Sequence, residues 1–362
     1  MKVFNCNIKE LLNKIEGQNI FFFGQGTWLK YVEYTDIMKL SDSFRYVVDN
    51  NPRGCVTLEE KELQVYYPEQ LKEEQGGVII VTSSTYMLDM YNQLMNMELS
   101  DKFSCCFFPF IQLVSTKKEE KELITESKNE NKIPKIIHSF WFSGEEKPEL
   151  YQKCIDTWSE HLPDYEIREW DIHNYNWHKN SFVEKAIECE AWAFASDYAR
   201  LDVVNEYGGI YLDMDVEVLK SFNPLLDNKC FFGFANNVVI DLAIFGAQKH
   251  NSMIESLLDL YKDIAPPDSK KEFNHFFQPL FVRKMFAEKG IVMDGSCQQK
   301  GDVSVYSDEY FMPIEYILFK EKITNKSFCI HHNNYGWDET GRKKDKKKAE
   351  NLALYNIISN NA

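Results

Sequence analysis

Two carboxylates, Asp213 and Asp215, follow a short apolar stretch and are the residues of this sequence best suited to chemistry. The residues before them, 210–212, have the pattern of a buried strand. In an extended chain, residues two apart point to the same face and rise roughly 3.3 Å each, so both carboxylates project together while Met214 turns away. Such close like charges repel unless they share a divalent cation or are solvated, and the buried neighbours favour the cation. An isolated Asp-x-Asp pair remains a weak signal.

The segment before this strand supplies a second polar pair. Asp197 and Arg200 lie three apart in the helical run 194–204, hence on one helical face. They either form a surface ion pair, worth under about 1 kcal/mol, or hold a polar ligand jointly. The helical run ends at Gly208 and Gly209, directly before the strand. The site is therefore expected at the end of that strand.

Two further stretches carry candidate binding residues. Trp141 ends the stretch 133–141, which has the pattern of a strand start followed by a polar and aromatic cluster, and it is either a core residue or a platform for a flat ring. His138, in the same strand, is expected to be structural. Near the C-terminus, His331 and His332 are adjacent, and adjacent residues of a strand cannot both face one metal.

The elements that position these residues fall into two domains. Residues 1–115 alternate strands and helices, which predicts a small parallel sheet in an accessory domain. Residues 116–132 are rich in Lys, Glu, Asn and Ser and are interpreted as a linker. Residues 133–340 form the second domain, and 341–362 are expected to be a basic C-terminal helix or tail.

The first domain contains part of a dinucleotide-binding fingerprint. Gly24 and Gly26 follow a buried strand, and Asp49 lies at about the distance of a ribose-binding acid, but Leu29 stands where the third glycine belongs. The alternative is that the two glycines only make a tight turn. A nucleotide-dependent activity of this domain is the least favoured hypothesis.

Composition limits the class of protein and its compartment. The chain has 362 residues and a net charge of −15, which argues against a nucleic-acid-binding protein. Its nine cysteines form no C-x-x-C pair, a pattern typical of reduced thiols in the cytoplasm. The start has no long apolar core, and no apolar run reaches the length of a membrane span. The basic run 341–348 is either a solvated helix or a contact with anionic lipid, although no apolar face is evident beside it.

Longer motifs carry a resemblance to a known family. The run 193–219 resembles the Asp-x-Asp-containing, sugar-binding region of the family 32 glycosyltransferases, which include yeast-type mannosyltransferases and bacterial capsule enzymes. It is more distantly similar to the catalytic domains of the clostridial glucosylating toxins. The match is carried by residues 195–200 and 207–215. The segments 133–141 and 331–337 are also similar to family motifs, with Gly336 in place of a Ser, so the resemblance covers roughly 133–337.

The resemblance implies a fold and a set of site residues. The implied fold is α/β, with a GT-A type, Rossmann-like catalytic domain preceded by the small Rossmann-like accessory domain. The implied metal is Mn²⁺, with Mg²⁺ as the main competitor, bound by Asp213, Asp215 and His332, with Asp215 as the direct ligand. The implied catalytic residues are Asp197, Arg200, Asp213 and Asp215. The implied nucleotide-sugar-binding residues are Trp141, Asp197, Arg200, Tyr211, Asp213 and Trp337.

The implied reaction is transfer of a hexose from a nucleotide-sugar, with UDP-sugar favoured, to a hydroxyl with retention of configuration. The implied acceptor is a glycan or lipid-linked glycan of a surface polysaccharide. Leu242 replaces an Asn of the family on the acceptor side, and Asp241 either supplies a polar group there or is a solvated loop acid. The alternative function is a non-catalytic nucleotide-sugar-binding or scaffolding protein with a degenerate site, which Gly336 and Leu242 leave open.

Overall fold

The computed structural model describes residues 1–33, 35–114, 123, 132–236, 239–273, 278–315, 317–333 and 344–360. The chain divides into two compact units. The first comprises Met1–Thr116, Tyr316–Phe319 and Thr340–Ala362, and the second comprises Lys117–Glu315 and Lys320–Glu339. Most of the segment interpreted as a linker, residues 116–132, lies outside the described residues.

The first unit is built around one seven-stranded sheet. Its elements in the N-terminal part of the chain are β1 (Lys2–Phe4), α1 (Ile8–Ile15), β2 (Ile20–Phe23), α2 (Thr27–Val32), β3 (Phe44–Val48), β4 (Cys55–Leu58), β5 (Lys61–Tyr66), β6 (Gly77–Val81), α3 (Met87–Asn96), β7 (Phe103–Phe107) and α4 (Phe108–Val114). The strand order is β1-β7-β6-β2-β3-β5-β4. All neighbours are parallel except β4 and β5. The central strands β2 and β6 are buried along their whole length, as continuous apolar strands of a parallel sheet require.

The turn after β2 is closed by contacts within the protein. Gly24 has φ +111°, and a Cβ there would lie 3.0 Å from the carbonyl oxygen of Thr82. The carboxylate of Asp49 accepts hydrogen bonds from the backbone N–H groups of Gln25 and Asn51, both at 2.9 Å. Gly24 thus serves a close backbone approach, and Asp49 ties its own loop to the turn after β2.

The second unit has a mixed seven-stranded sheet and two small two-stranded ones. Its elements are β8 (Ile136–Phe140), α5 (Glu149–His161), β9 (Glu166–Trp170), α6 (Ser181–Glu188), α7 (Trp192–Tyr207), β10 (Gly209–Leu212), β11 (Val216–Val218), β12 (Cys230–Asn236), β13 (Val239–Ala247), α8 (Ser252–Asp259), α9 (Lys270–Phe273), α10 (Gln278–Glu288), β14 (Gln298–Lys300), β15 (Val303–Tyr306), α11 (Asp308–Phe311), β16 (Ile314–Glu315), β17 (Lys320–Glu321) and β18 (Cys329–His331). The order of the main sheet is β14-β15-β12-β13-β10-β8-β9, and β11 pairs with β18.

Helices cover both faces of this main sheet. Tyr211 of β10 belongs to a cluster that includes Leu201 of α7, whereas its neighbours Ile210 and Leu212 belong to a second cluster that includes Trp158 of α5. This alternation follows from the two-residue period of a strand. The predicted α/β fold class, with helices on both sides of a central sheet, is confirmed.

The C-terminal segment is a helix, α12 (Lys344–Asn360), that belongs to the first unit. The sequence predicts a basic C-terminal helix or tail over residues 341–362. Within α12, Asn351, Leu354 and Ile358 are buried, and the Asn351 side-chain amide donates hydrogen bonds to the carbonyl oxygens of Ser84 and Ile317. Among the described residues, no helix has the length and apolar character needed to cross a membrane.

Candidate functional site

Two glycines join helix α7 to strand β10 and set the direction of both elements. Gly208 has φ +68° and Gly209 has φ +114°, values that residues with a Cβ rarely adopt. A Cβ on Gly209 would lie 2.6 Å from the carbonyl oxygen of Ile136. The backbone of β10 therefore packs directly against β8, and larger residues would separate the two strands.

Strand β10 delivers the two carboxylates at its carboxyl end, but not in an extended conformation. The Asp213 N–H donates to the carbonyl oxygen of Ala243, and the Val216 N–H donates back to the carbonyl oxygen of Asp213 at 3.1 Å. Met214 and Asp215 are thus the centre of a turn, and the predicted extended Asp-x-Asp segment was wrong. Met214 nevertheless packs into the core, at 6% exposure, as expected. The turn lets β11 start a new sheet directly after the carboxylates.

A histidine from a distant part of the sequence completes this carboxylate pair. Strands β11 and β18 pair so that Val216 lies opposite His331. His331 Nε2 lies 3.3 Å from Asp215 Oδ1. Ligand atoms of Asp213, Asp215 and His331 all lie within 4.8 Å of one another. Two carboxylates and an imidazole suit Mn²⁺, and the oxygen ligands also suit Mg²⁺, so these residues fit the implied divalent ion.

The third member of this cluster is His331 and not His332, the histidine predicted as a metal ligand. His332 Nε2 lies 2.8 Å from Glu217 Oε2 instead. Its backbone N–H donates to the carbonyl oxygen of Asp215. Adjacent strand residues point to opposite faces, so the pairing register selects one imidazole for Asp215. The sequence indicates that two adjacent histidines cannot both face one metal, but it carries no information on the pairing register of β11 and β18.

Arg200 connects helix α7 to the carboxylates. Its Nε donates to the carbonyl oxygen of Ser196, its Nη2 donates to Ser196 Oγ, and its Nη1 donates to the carbonyl oxygen of Leu242. The same guanidinium lies 3.3 Å from Asp197 Oδ1 through Nη2 and 3.3 Å from Asp213 Oδ1 through Nη1. These contacts match the five N–H donors of the group. Arg200 therefore bridges two acidic side chains, and its side chain is only 7% exposed.

Tyr211 holds Asp213 from the same face of β10. Its hydroxyl donates a hydrogen bond to Asp213 Oδ1 at 2.5 Å, and its ring lies under the guanidinium of Arg200 at 4.6 Å. Burial raises the pKa of Tyr211 well above its usual value, so the hydroxyl stays protonated and acts as a donor. Asp213 is thus fixed by two buried neighbours.

The cluster holds more negative charge than a buried site tolerates well. Burial raises the pKa of Asp197 to about 7; Arg200 opposes this shift, and the charges of Asp213 and Asp241 add to it. Burial also raises the pKa of Asp213. Burial alone would lower the pKa of His331, but Asp215 raises it to about 9. A bound cation would favour the ionised carboxylates and compete with the proton on His331.

Two residues of β13 lie beside this cluster. Asp241 affects the pKa of Asp197 and of His331 through its charge, which places it among the acidic groups. Its Oδ1 accepts a hydrogen bond from the Ala243 N–H at 2.8 Å. Leu242 is buried, and its backbone carbonyl oxygen accepts a hydrogen bond from Arg200 Nη1. This contact does not depend on the side chain at position 242.

Trp141 follows β8 and lines a cleft of about 260 Å³ formed by the loops after β8 and β9. Its indole N–H donates to the carbonyl oxygen of Glu145, and its ring meets Tyr151 edge-on at 5.6 Å. The ammonium group of Lys147 lies 5.8 Å from the ring centroid and is held by Glu169 at 2.8 Å. Because β8 and β10 are parallel neighbours, Trp141 and Asp213 follow strand ends at the same edge of the sheet. Trp337 and Gly336 lie outside the described residues.

His138 is structural, as expected, and holds the backbone that precedes β10. Its ring is fully buried, with Nε2 placed 2.8 Å from the carbonyl oxygen of Gly208. The Trp170 indole N–H donates to Nδ1 at 3.1 Å. Nε2 must therefore carry the proton, and a second proton on Nδ1 would face another donor. Burial lowers the pKa of His138 to about 4.

This arrangement predicts a loss of stability in mild acid. The folded-state pKa of about 4 lies below the ordinary value of 6.5, so the unfolded state binds the proton first as the pH falls. Stability from this residue is constant above about pH 6.5 and decreases towards pH 4, by about 3 kcal/mol at 1.36 kcal/mol per pKa unit. Urea unfolding at several pH values measures it, and the difference between wild type and His138→Gln isolates the effect. An unchanged pH dependence in the variant would contradict this assignment.

Comparison with known proteins identifies the segment that contains the two carboxylates of the cluster. Residues 148–232 match the family model of the glycosyltransferase sugar-binding region containing the DXD motif. The match includes α7, β10 and the two carboxylates, and it confirms the resemblance stated from the sequence. Trp141 and His331 lie outside the matched segment.

Individual relatives are similar over part of their length. Inositol phosphoceramide mannosyltransferase 3 of Schizosaccharomyces pombe is 33% identical over 125 residues, which are 30% of this chain and 33% of that protein. An uncharacterised glycosyltransferase of Acanthamoeba polyphaga mimivirus is 31% identical over 106 residues, 28% of this chain and 42% of that protein. The chain thus spans less than half of the length of either relative. Among solved structures, the PaToxG glycosyltransferase has a TM-score of 0.32 at 18% identity, covering 44% of this chain and 73% of its own.

Proposed function

We propose that this protein is a metal-dependent glycosyltransferase that moves a hexose from a nucleotide-sugar to a hydroxyl acceptor. The observation that carries the proposal is the convergence of Asp213, Asp215 and His331 within 4.8 Å. This convergence occurs beside the partly buried Asp197 and the buried Arg200, and all but His331 lie in the segment that matches the sugar-binding family model. Glycosyl transfer is also the activity named for the curated relatives.

The cluster would hold Mn²⁺ or Mg²⁺ through Asp213, Asp215 and His331. When bound, the ion supplies positive charge that neutralises the diphosphate leaving group. The protein's part is to hold its ligands in place before the donor arrives. Asp213 is fixed by Tyr211 and Arg200, and Asp215 is fixed by its turn and by the pairing of β11 with β18.

Asp197 is proposed to accept hydrogen bonds from hydroxyl groups of the donor sugar. Its carboxylate lies on α7, and Arg200 approaches one of its oxygens, Oδ1. Since Arg200 already contacts Ser196, Leu242 and both acids, its role is to position Asp197 and Asp213 rather than to reach the donor. We propose transfer with retention by a front-face mechanism, in which no side chain acts as a nucleophile.

The favoured donor is a UDP-hexose, and the favoured acceptor is a glycan or lipid-linked glycan of a surface polysaccharide, reached from the cytoplasmic side. A relative named for mannosyl transfer to inositol phosphoceramide supports a hexose donor and a lipid-linked acceptor. A panel of nucleotide-sugars incubated with the purified protein and Mn²⁺, scored by released nucleotide, tests the proposal. Release that requires both a metal and one particular donor is expected. A panel without any metal-dependent release, repeated with candidate acceptors, would favour a non-catalytic binding protein.

Trp141 is proposed to stack on the base of the nucleotide. Its replacement by Ala should weaken nucleotide affinity by about 1 to 3 kcal/mol, the range for base stacking on an aromatic ring. Isothermal titration with UDP and Mn²⁺ measures the change. Trp192→Ala is the matched control, because Trp192 is also partly buried but starts α7, away from the cleft. Equal affinity per folded molecule in Trp141→Ala and in wild type would assign Trp141 to the core.

A further inference from the structure

The C-terminal helix α12 has two faces with different surroundings. Asn351, Leu354 and Ile358 recur at helical spacing and are buried in the first unit. On the opposite side, Leu352 and Ile357 are each 37% exposed, and the exposed Ala349, Ala353 and Asn356 lie between these two residues around the helix. The helix therefore carries apolar side chains on its outer face, which the sequence alone had not revealed.

The sequence at the start of α12 is dense in cations. Residues 342–348 contain six Lys or Arg and one Asp, although the chain as a whole has a net charge of −15. Lys346 and Lys348 lie in the first turns of α12 and are exposed. The Lys346 side chain is 63% exposed and forms an ion pair with Glu350, with Nζ 3.8 Å from Oε1. At about 100° per residue, Lys346 lies on the outer face, about 20° from Ile357 around the helix, and Lys348 lies at the edge of that face, about 40° from Leu352. Repulsion from acidic groups more than about 8 to 10 Å away is largely screened at physiological salt.

We propose that this outer face docks the protein on an anionic lipid surface. The lysines would contact phosphate groups of the lipid heads, while Leu352 and Ile357 would enter the boundary between head groups and acyl chains. A nucleic acid would satisfy the cations but leave the apolar residues without a partner. The biological role of this docking rests on the proposed function, since a lipid-linked acceptor lies at such a surface. Binding to the lipid itself does not depend on glycosyl transfer.

Sedimentation with vesicles tests the proposal on the full chain. The probe is a set of large phosphatidylcholine vesicles containing 0 or about 30% phosphatidylglycerol, a fraction chosen to give a strongly negative surface potential. Wild-type protein is expected to bind the anionic vesicles, to bind the neutral ones at least tenfold more weakly, and to dissociate as NaCl is raised. K346Q/K348Q should weaken binding about fivefold for each lysine, and hence roughly 25-fold in total.

Two further variants make the test specific. K153Q/K262Q removes two exposed lysines of the second unit that also form ion pairs within their own helices or turns, and it should bind like wild type. L352S/I357S should weaken binding while keeping its salt dependence, and circular dichroism checks that each variant is folded. Equal weakening by both lysine pairs, or binding unaffected by L352S/I357S, would overturn docking through this face. Nucleotide release from a soluble donor should be unchanged in K346Q/K348Q, so a failure of docking is distinguishable from a failure of the proposed function.

Discussion

Asp215→Asn is expected to abolish metal-dependent nucleotide binding and transfer while leaving the protein folded. The substitution keeps the size of the side chain but removes the charge that a divalent ion requires from an oxygen ligand. Loss of a residue that only supports a ligand typically weakens metal affinity by about 10- to 100-fold, so loss of a direct ligand should cost at least 100-fold. Titration of Mn²⁺ followed by electron paramagnetic resonance, with and without UDP, measures the effect.

Glu217→Gln is the matched control for this experiment. Glu217 lies two residues after Asp215, on β11, and contacts His332 rather than His331. Its variant should retain Mn²⁺ affinity within about tenfold, the lower limit for a supporting residue. Wild-type turnover of Asp215→Asn in the presence of Mn²⁺ would contradict the metal assignment.

The two adjacent histidines allow a second, independent check of the same site. His331→Gln should lose Mn²⁺ affinity, whereas His332→Gln should lose much less, because the pairing of β11 with β18 turns only His331 towards Asp215. The reverse result would mean that the strand end rearranges when the metal binds. His332, the residue implied by the family motif, would then be the metal ligand.

Local signals in the sequence were sufficient to predict the secondary structure of the part of the site that is continuous in the chain. The helix with Asp197 and Arg200, the two glycines and the strand before Asp213 are encoded within about twenty residues, and their order fixes which side chains meet. The α/β layering of the second unit follows equally from alternating apolar patterns. The structure confirms the α/β layering, and it contains this helix, the two glycines and the strand in the expected order.

The remaining features depend on pairings between distant segments. His331 meets Asp215 through a strand pair that joins residues more than one hundred positions apart, and a shift of one residue would have exchanged the two histidines. The backbone carbonyl of Leu242 serves Arg200 whatever the side chain at that position, so no residue type signals the contact. The turn at Met214 and Asp215 was missed because an alternating pattern does not distinguish a strand that continues from one that stops. The packing of α12 into the first unit likewise has no local signal.

Arg200→Leu is expected to have the largest effect on stability of any single substitution in the site. The guanidinium is buried between Asp197 and Asp213, and its removal leaves two partly buried acidic groups without their cation. Breaking a buried ion pair by removing one partner typically costs about 3 to 5 kcal/mol of the free energy of unfolding. The two acids can reduce this cost by taking up protons, and Asp197, with a pKa already raised to about 7, should do so first. Transfer should fall strongly as well, because a protonated Asp197 lacks the negative charge that strengthens its hydrogen bonds from the sugar, and Asp213 loses one of its two supports.

A second arginine of the same unit separates this role from that of an ordinary ion pair. Arg168 also holds a carboxylate, that of Glu166, and also covers a tyrosine ring, that of Tyr207 at 5.0 Å, but its side chain is 29% exposed. Since solvent screens that pair, Arg168→Leu should change the urea midpoint only slightly and leave transfer intact. Arg200→Lys should lie between the extremes, because an ammonium group keeps the charge but cannot reach both acids and two backbone carbonyls at once. The contrary result is that Arg200→Leu unfolds at the same urea concentration as Arg168→Leu and still transfers sugar. That result would show that the contacts of Arg200 with Asp197 and Asp213 are needed neither for stability nor for transfer. The donor would then have to be held by other groups of the cluster.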